Sequence, residues 1–332
     1  MGDLDAIFKA YDVRGTYPDQ IDADVCYRIG AGFVSLMKQE NPALQRVVVG
    51  RDMRASGVEL VAAFTAGVTS QGVDVLSLGL ASTDLVYFAA GELDAPGAVF
   101  TASHNPAEYN GIKMCRAGAA PIGEESGLTE IKNLAAAGVD STDSIGSVGQ
   151  RDMLDEFAAH VRSFVNEAEL APLKVVADTA NGMGGLVVPA AFDHLPFDLE
   201  VMYGELDGSF PNHPADPLNM ENLTDLRARV LETGADVGLA FDGDADRVFL
   251  VDEKAQPVSG SLTTAMVAVA MLEKDPGASI IYNLICSKTV PEVVTERGGV
   301  AIRSRVGHSF IKQLIAETGA VFAGEHSGHY YF

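Results

Sequence analysis

Cysteine is scarce: the 332 residues hold three, Cys26, Cys115 and Cys286. Scattered and odd in number, they build no disulfide framework and no paired metal-binding spacing. Cationic residues are also few, 23 Lys and Arg against 46 Asp and Glu, for a formal net charge of -23 and a pI near 4.5. Such a field excludes nucleic acid or an anionic membrane as partners held by bulk electrostatics. It would equally repel phosphorylated small molecules, so the isolated Lys, Arg and His residues beside conspicuous motifs gain weight. The longest apolar run, around residues 264–272, is too short to span a bilayer. The N-terminus, Met1-Gly2-Asp3-Leu4-Asp5, is acidic and lacks the basic-then-apolar order of a signal peptide. The expectation is a soluble, cytoplasmic protein.

What is present is material for several cores. Hydrophobic residues make up 47% of the chain, and its length suggests two or three domains. Apolar β-branched runs alternate with helical-period segments, the pattern of parallel sheets with crossover helices. Strands are expected at 46–50, 73–78 and 97–100, with helices at 57–71 and 83–91. The rhythm returns with strands at 173–177, 237–241 and 248–251. A third series places a helix at 261–272, strands at 279–283, 300–303 and 320–323, and helices starting at 289 and 309. Stretches 138–149 and 252–261 read as linkers, giving units at 1–145, 146–252 and 253–332. The expected fold is three tandem α/β units with mixed or mostly parallel sheets around a central cleft. Each unit presents one conspicuous loop beyond a strand's carboxyl end, where open α/β sheets bind ligands. The last strand follows a dense polar loop and then the chain stops, which reads as a domain cut short.

Two short runs carry complementary chemistry. Thr101-Ala102-Ser103-His104-Asn105-Pro106 offers a serine hydroxyl on a turn, and Asp242-Gly243-Asp244-Ala245-Asp246-Arg247 packs three carboxylates at alternate positions. Alone, Ser103 reads first as a turn serine capping a helix. A serine hydroxyl is a poor nucleophile without help. Adjacent residues seldom face one another, so His104 is not expected to pair with it, and no Gly-x-Ser-x-Gly elbow surrounds it. The acidic run needs a cation to offset its own repulsion. A calcium EF-hand also uses positions 1, 3 and 5, and Glu253 falls at its position 12, but Arg247 stands where its turn wants glycine. Strand-like flanks oppose it as well, so Mg²⁺ fits better. A metal that neutralises phosphate oxygens beside a serine that carries a phosphoryl group describes phosphoryl transfer.

With four further runs, Tyr11-Asp12-Val13-Arg14-Gly15, Asn110-Gly111-Ile112-Lys113, Arg305-Val306-Gly307-His308 and Gly324-Glu325-His326-Ser327-Gly328-His329, the chain resembles the α-D-phosphohexomutase superfamily, in its phosphomannomutase/phosphoglucomutase branch. The resemblance implies that Ser103 holds the transferable phosphoryl group. It assigns Asp242, Asp244 and Asp246, with a phosphoryl oxygen on Ser103, to Mg²⁺. Glu325 and Ser327 would hydrogen-bond the sugar hydroxyls; Arg247, Gly307 and Tyr11 would line the pocket. Arg14, Lys113 and His308 are the candidates for proton handling and charge stabilisation. The implied reaction interconverts mannose 6-phosphate and mannose 1-phosphate, with glucose phosphates as further substrates and a hexose 1,6-bisphosphate as intermediate and activator. A phosphoglucosamine- or glucose-specific mutase is one alternative, and a chain that binds metal and sugar phosphate without efficient catalysis is another. Members of the superfamily carry a fourth, α+β domain whose loop grips the non-reacting phosphate. Nothing in these residues supplies that loop, so slower turnover is expected of them.

Overall fold

Residues 3–332 are described in a computed structural model, which holds three sheets built on one plan. Six strands form the first: β1 (Val13–Thr16), β2 (Arg46–Arg51), β3 (Asp74–Leu80), β4 (Gly97–Phe100), β5 (Tyr109–Cys115) and β6 (Val148–Gln150), in the order β1-β5-β4-β2-β3-β6. The second has β7 (Leu173–Asp178), β8 (Phe197–Met202), β9 (Val237–Phe241), β10 (Val248–Asp252) and β11 (Pro257–Val258), ordered β11-β10-β9-β7-β8. The third has β12 (Ser279–Asn283), β13 (Val300–Ser304), β14 (Phe322–Gly324) and β15 (Tyr330–Tyr331), ordered β13-β12-β14-β15.

The shared plan is a set of parallel strands closed on one side by an antiparallel return. β2 pairs parallel with β3 and β4, β7 with β8 and β9, and β12 with β13 and β14. Then β5 returns against β4, β10 against β9 and β15 against β14, each antiparallel. Each return follows directly on one of the conspicuous loops. The sheets are therefore mixed, and the expected α/β class stands.

Several local expectations are corrected. Strand β1 and the helix Ala23–Glu40 are absent from the strand and helix runs read in the sequence, although the helix is well specified. Asp22 caps it by accepting from Val25 N, and Val25, Cys26, Ile29, Phe33 and Met37 bury one face at helical spacing. The stretch 138–149 is no free linker. Thr142 N and Gly146 N bond back to Ser70 and Thr69 carbonyls, and β6 adds to the edge of the first sheet, although the boundary drawn at 145 assigns it to the second unit. Likewise 252–261 is no free linker, since 252–258 closes a hairpin and Ser259 caps the next helix. Asp252 Oδ1 accepts from Lys254 N at 3.0 Å and Gln256 N at 2.6 Å, which turns the chain so that β11 pairs with β10.

The first core depends on a close helix crossing. Helix Ala23–Glu40 lies on helix Gly57–Thr69 with Gly30 against the Phe64 backbone and Gly67 against that of Tyr27. A Cβ at Gly67 would stand 2.1 Å from the Tyr27 carbonyl oxygen, and one at Gly30 2.3 Å from that of Phe64. Backbone cannot yield as a side-chain tip can. Gly67→Ala is expected to destabilise the protein by about 3 kcal/mol through overpacking, read as a lower urea midpoint at unchanged slope.

Candidate active site

Ser103 sits on the turn between β4 and β5, fully buried, with φ 51. A non-glycine residue in the left-handed region needs local support. Its N–H donates to Thr101 Oγ1 at 2.9 Å, and Asn105 N donates to the Ala102 carbonyl at 2.9 Å. The turned backbone sends the Ser103 hydroxyl towards the second unit, where Oγ donates to Asp242 Oδ2 at 2.6 Å. Arg247 Nη2 donates to the same Oγ at 3.3 Å. Close approach of the two loops requires Gly243, because a Cβ there would lie 2.4 Å from the Ser103 carbonyl oxygen.

The acidic loop is held as tightly. Thr83 Oγ1, in the first turn of helix Thr83–Glu92, donates to Asp244 Oδ2 at 2.6 Å, and Lys113 Nζ on β5 donates to Asp244 Oδ2 and Asp246 Oδ2 at 2.6 Å each. Burial, then the charges of Asp244 and Asp246, pushes the Asp242 carboxyl up to about 8. Burial also works against ionised Asp244 and Asp246, but Lys113 together with Thr83 at Asp244, and together with His329 and Arg247 at Asp246, holds both below the usual carboxylate range. Burial likewise opposes the charge on Lys113, and the two carboxylates win, raising its pKa.

The third unit closes the cluster through His329, between Asp246 Oδ1 at 3.3 Å and Glu325 Oε2 at 3.4 Å. Burial lowers its pKa, but Asp246 and Glu325 together raise it to about 9, so the ring is charged at neutral pH. Backbone adds a further link, Val248 N to the Gly328 carbonyl at 3.1 Å. Three loops, one from each sheet, thus meet at one cluster of buried charge.

Known proteins with this arrangement are informative. Three phosphoglucomutase/phosphomannomutase family models match in succession, α/β/α domain I over residues 5–140, domain II over 154–256 and domain III over 259–332. The chain belongs to the phosphoglucomutase/phosphomannomutase family. A phosphomannomutase of Escherichia coli K12 is 39% identical over 98% of this chain and 72% of its own length. A phosphomannomutase/phosphoglucomutase of Pseudomonas syringae pv. tomato is 38% identical, over 99% of this chain and 69% of its own length. A crystal structure of a family protein from Burkholderia thailandensis superposes with a TM-score of 0.92 at 36% identity, covering 100% of this chain and 73% of that one.

Within this family member the expected residues fall as follows. Ser103, Lys113, Arg247 and the three aspartates share the cluster just described. Arg14 joins it from β1, donating Nη1 to Asn105 Oδ1 at 2.7 Å and pairing with Asp12. Gly307 sits against Tyr11 and directs its N–H to Glu325 Oε1 at 3.4 Å. His308 opens the helix His308–Thr318, and its side chain lies outside the described residues. Ser327 is half-buried, with Oγ 3.1 Å from His329 Nδ1. Glu325 is 2% exposed, and its oxygens are occupied by Asn283 Nδ2 at 3.0 Å and the Tyr331 hydroxyl at 2.8 Å besides Gly307. Burial opposes its charge, but His329 and these donors hold its carboxyl down at about 2.

His104 departs from expectation. The turn at Ser103 brings its Nδ1 to 3.2 Å from Ser103 Oγ, so the neighbours do face one another. They still form no nucleophile–base pair, because Arg247 Nη2 lies 3.0 Å from that nitrogen and the serine proton goes to Asp242. Burial and Arg247 lower the ring's pKa to about 4, which keeps it neutral. Sequence reasoning gave no role to Thr83 or His329. Thr83 carries no local signal, and His329 stood in a quoted motif without a partner to reveal its function.

The carboxylates suit a divalent cation. One oxygen from each of Asp242, Asp244 and Asp246 lies within 4.8 Å of the others. Asp244 Oδ1 and Asp246 Oδ1 are buried without a hydrogen-bond donor, His329 reaching the latter at ion-pair distance only. Unsatisfied hard oxygens in such a cluster are what a hard divalent cation coordinates.

The loop after β7, read from the sequence as structural packing, braces this site. Met183 N donates to the Gly243 carbonyl at 2.8 Å, and His213 Nε2 lies 2.9 Å from Asp178 Oδ2. Burial lowers the pKa of His213, but Asp178 more than compensates, so it rises above 6.5. Native protonation is therefore favoured. Its stabilisation is complete below the unfolded value near 6.5 and fades as pH rises through the elevated native value. His213→Gln should lower the melting temperature clearly at pH 6 and much less at pH 9.

Proposed function

We propose that the chain interconverts hexose 6-phosphates and hexose 1-phosphates, mannose phosphates foremost, through a phosphoryl group carried on Ser103. The observation that carries this reading is the Ser103 hydroxyl, 2.6 Å from a carboxylate of an acidic cluster with unsatisfied buried oxygens. Neither a hydrolase nor a calcium module needs that combination.

Phospho-Ser103 gives up its phosphoryl group as the P–Oγ bond breaks, Oγ takes up a proton, and a bond forms from phosphorus to the free sugar hydroxyl, whose own proton leaves to a base. The resulting hexose 1,6-bisphosphate turns end for end, and its other phosphoryl group returns to Oγ as its bond to the sugar oxygen breaks, the serine proton leaves and the released sugar oxygen takes up a proton. Added hexose 1,6-bisphosphate would then prime an unphosphorylated chain, acting as activator. Asp242, Asp244 and Asp246 would hold Mg²⁺, which offsets charge on phosphoryl oxygens when bound. Arg247, already 3.3 Å from Oγ, suits the stabilisation of that travelling charge. Arg14 supplies a second fixed cation at the turn. Lys113, tied to two carboxylates with a raised pKa, acts here as a charge and not as a proton shuttle. Ser327 faces the sugar, while Glu325 must give up a donor to grip a hydroxyl.

Incubation with a hexose 1,6-bisphosphate should add one phosphoryl mass to the intact protein, and Ser103→Ala should take none. Label on another residue sinks the assignment. Turnover on mannose, glucose and glucosamine phosphates compared side by side ranks the substrates.

A second expectation concerns the cation. Mg²⁺ should raise the melting temperature by mass action, and Asp244→Asn should bind it at least about tenfold more weakly by calorimetry. An unchanged Mg²⁺ response in the variant removes Asp244 from the site.

A further inference from the structure

Beneath the Ser103 turn lies a residue that none of the chemistry above employs. Arg54 is 1% exposed, among the largest side chains to be so completely enclosed. Every one of its five N–H donors is used. Nη1 donates to the Pro106 carbonyl at 2.6 Å and the Tyr109 carbonyl at 3.0 Å. Nη2 donates to the Ser103 carbonyl at 2.9 Å and the Asn105 carbonyl at 2.6 Å, and Nε to Asp52 Oδ2 at 3.1 Å. Asp52 is buried too, and its other oxygen accepts from Arg54 N at 2.9 Å. On the outer side the Phe210 ring of the second unit packs at 5.1 Å from the guanidinium carbon.

Four carbonyl oxygens within seven residues of one loop therefore converge on a single planar fork. An ordinary buried ion pair would need only Asp52, and burial alone argues against placing a charge here. What the fork supplies is geometric. It fixes the backbone from Ser103 onward, including the carbonyl of that residue, whose φ of 51 is otherwise unfavourable. Sealed from the cleft, Arg54 cannot touch a substrate.

We propose that Arg54 is a positioning residue for phosphoryl transfer, holding the turn so that Ser103 Oγ meets Asp242 and Arg247. The inference rests on the reading of Ser103 as phosphoryl carrier. Lysine cannot replace the fork, because an ammonium has three donors on a point charge. Small displacement of a reacting oxygen is costly, on the order of 100-fold in rate for about 1 Å.

The test uses wild-type protein, Arg54→Lys, and the double variant Asp52→Asn with Arg54→Gln, which leaves no buried charge unpaired. Rapid quench with labelled glucose 1,6-bisphosphate and Mg²⁺ measures Ser103 phosphorylation, calorimetry measures the affinity for glucose 6-phosphate, and circular dichroism follows folding. Both variants should fold and bind glucose 6-phosphate as wild type does, while phosphorylating Ser103 roughly 100-fold more slowly. Labelled wild type with equal rates in the variants overturns the role of Arg54 alone. Wild type that takes no label on Ser103 overturns the carrier reading on which it rests. Variants that fail to fold, or that lose affinity and rate together, reduce Arg54 to a structural brace and overturn the proposal.

Discussion

Three carboxylates removed from water within a few ångströms of one another are the constraint that the rest of this structure answers. Burying one unpaired carboxylate is prohibitive, and burying three in one loop demands cations from elsewhere in the chain. The donors come from separate elements: Lys113 from β5, Arg247 from the start of the return strand, His329 from the third sheet. None of these partners is local except Arg247. The acidic loop is consequently also what fastens the units together, since Thr83 and Ser103 of the first and His329 of the third all bond to it.

The repeated sheet plan explains why the cluster forms where it does. In each sheet the chain leaves a parallel strand, makes a loop, and returns antiparallel beside it. Loops at that switch have both ends anchored by strand pairing, which holds their side chains more firmly than a free crossover would. Ser103, the Asp242–Asp246 run and the Glu325–His329 run occupy the equivalent loop in the first, second and third sheets. One architectural position used three times supplies the buried serine, the acidic cluster and a polar loop.

Much of this was legible in the sequence, for identifiable reasons. Buried parallel strands such as β2 and β9 read plainly because both faces are apolar, and the aspartate run read plainly because its self-repulsion has few structural excuses. Antiparallel strands were harder. β5 carries Asn110, which bonds Ser56, and Lys113, which serves the site, and their polarity masks the strand pattern. Loop 138–149 looked like a linker because its bonds are made by backbone to a distant helix end, which leaves no trace in composition. His104 shows the same limit: only the positive φ at Ser103 brings its ring round, and that angle follows from tertiary contacts. Arg54 was invisible as well, since an arginine enclosed by carbonyl oxygens has the same letter as one on the surface.

The charge count at the site carries the argument one step further. Asp12, Asp244, Asp246 and Glu325 face Arg14, Lys113, Arg247 and a protonated His329, four carboxylates against four cations, while the Asp242 carboxyl, pushed up to about 8, adds little charge until a cation ionises it. Around them the chain bears a formal charge of -23, so neither the site nor its surroundings attract a phosphate dianion. A divalent cation on the aspartates reverses the local sign without adding a single basic residue to the exposed surface. Attraction would then be confined to the few ångströms around the metal and the two arginines, while the rest of the surface repels anions. An acidic protein that handles phosphate esters can reconcile those properties in this way, with only three of its 23 Lys and Arg residues, Arg14, Lys113 and Arg247, at the buried junction of its three loops.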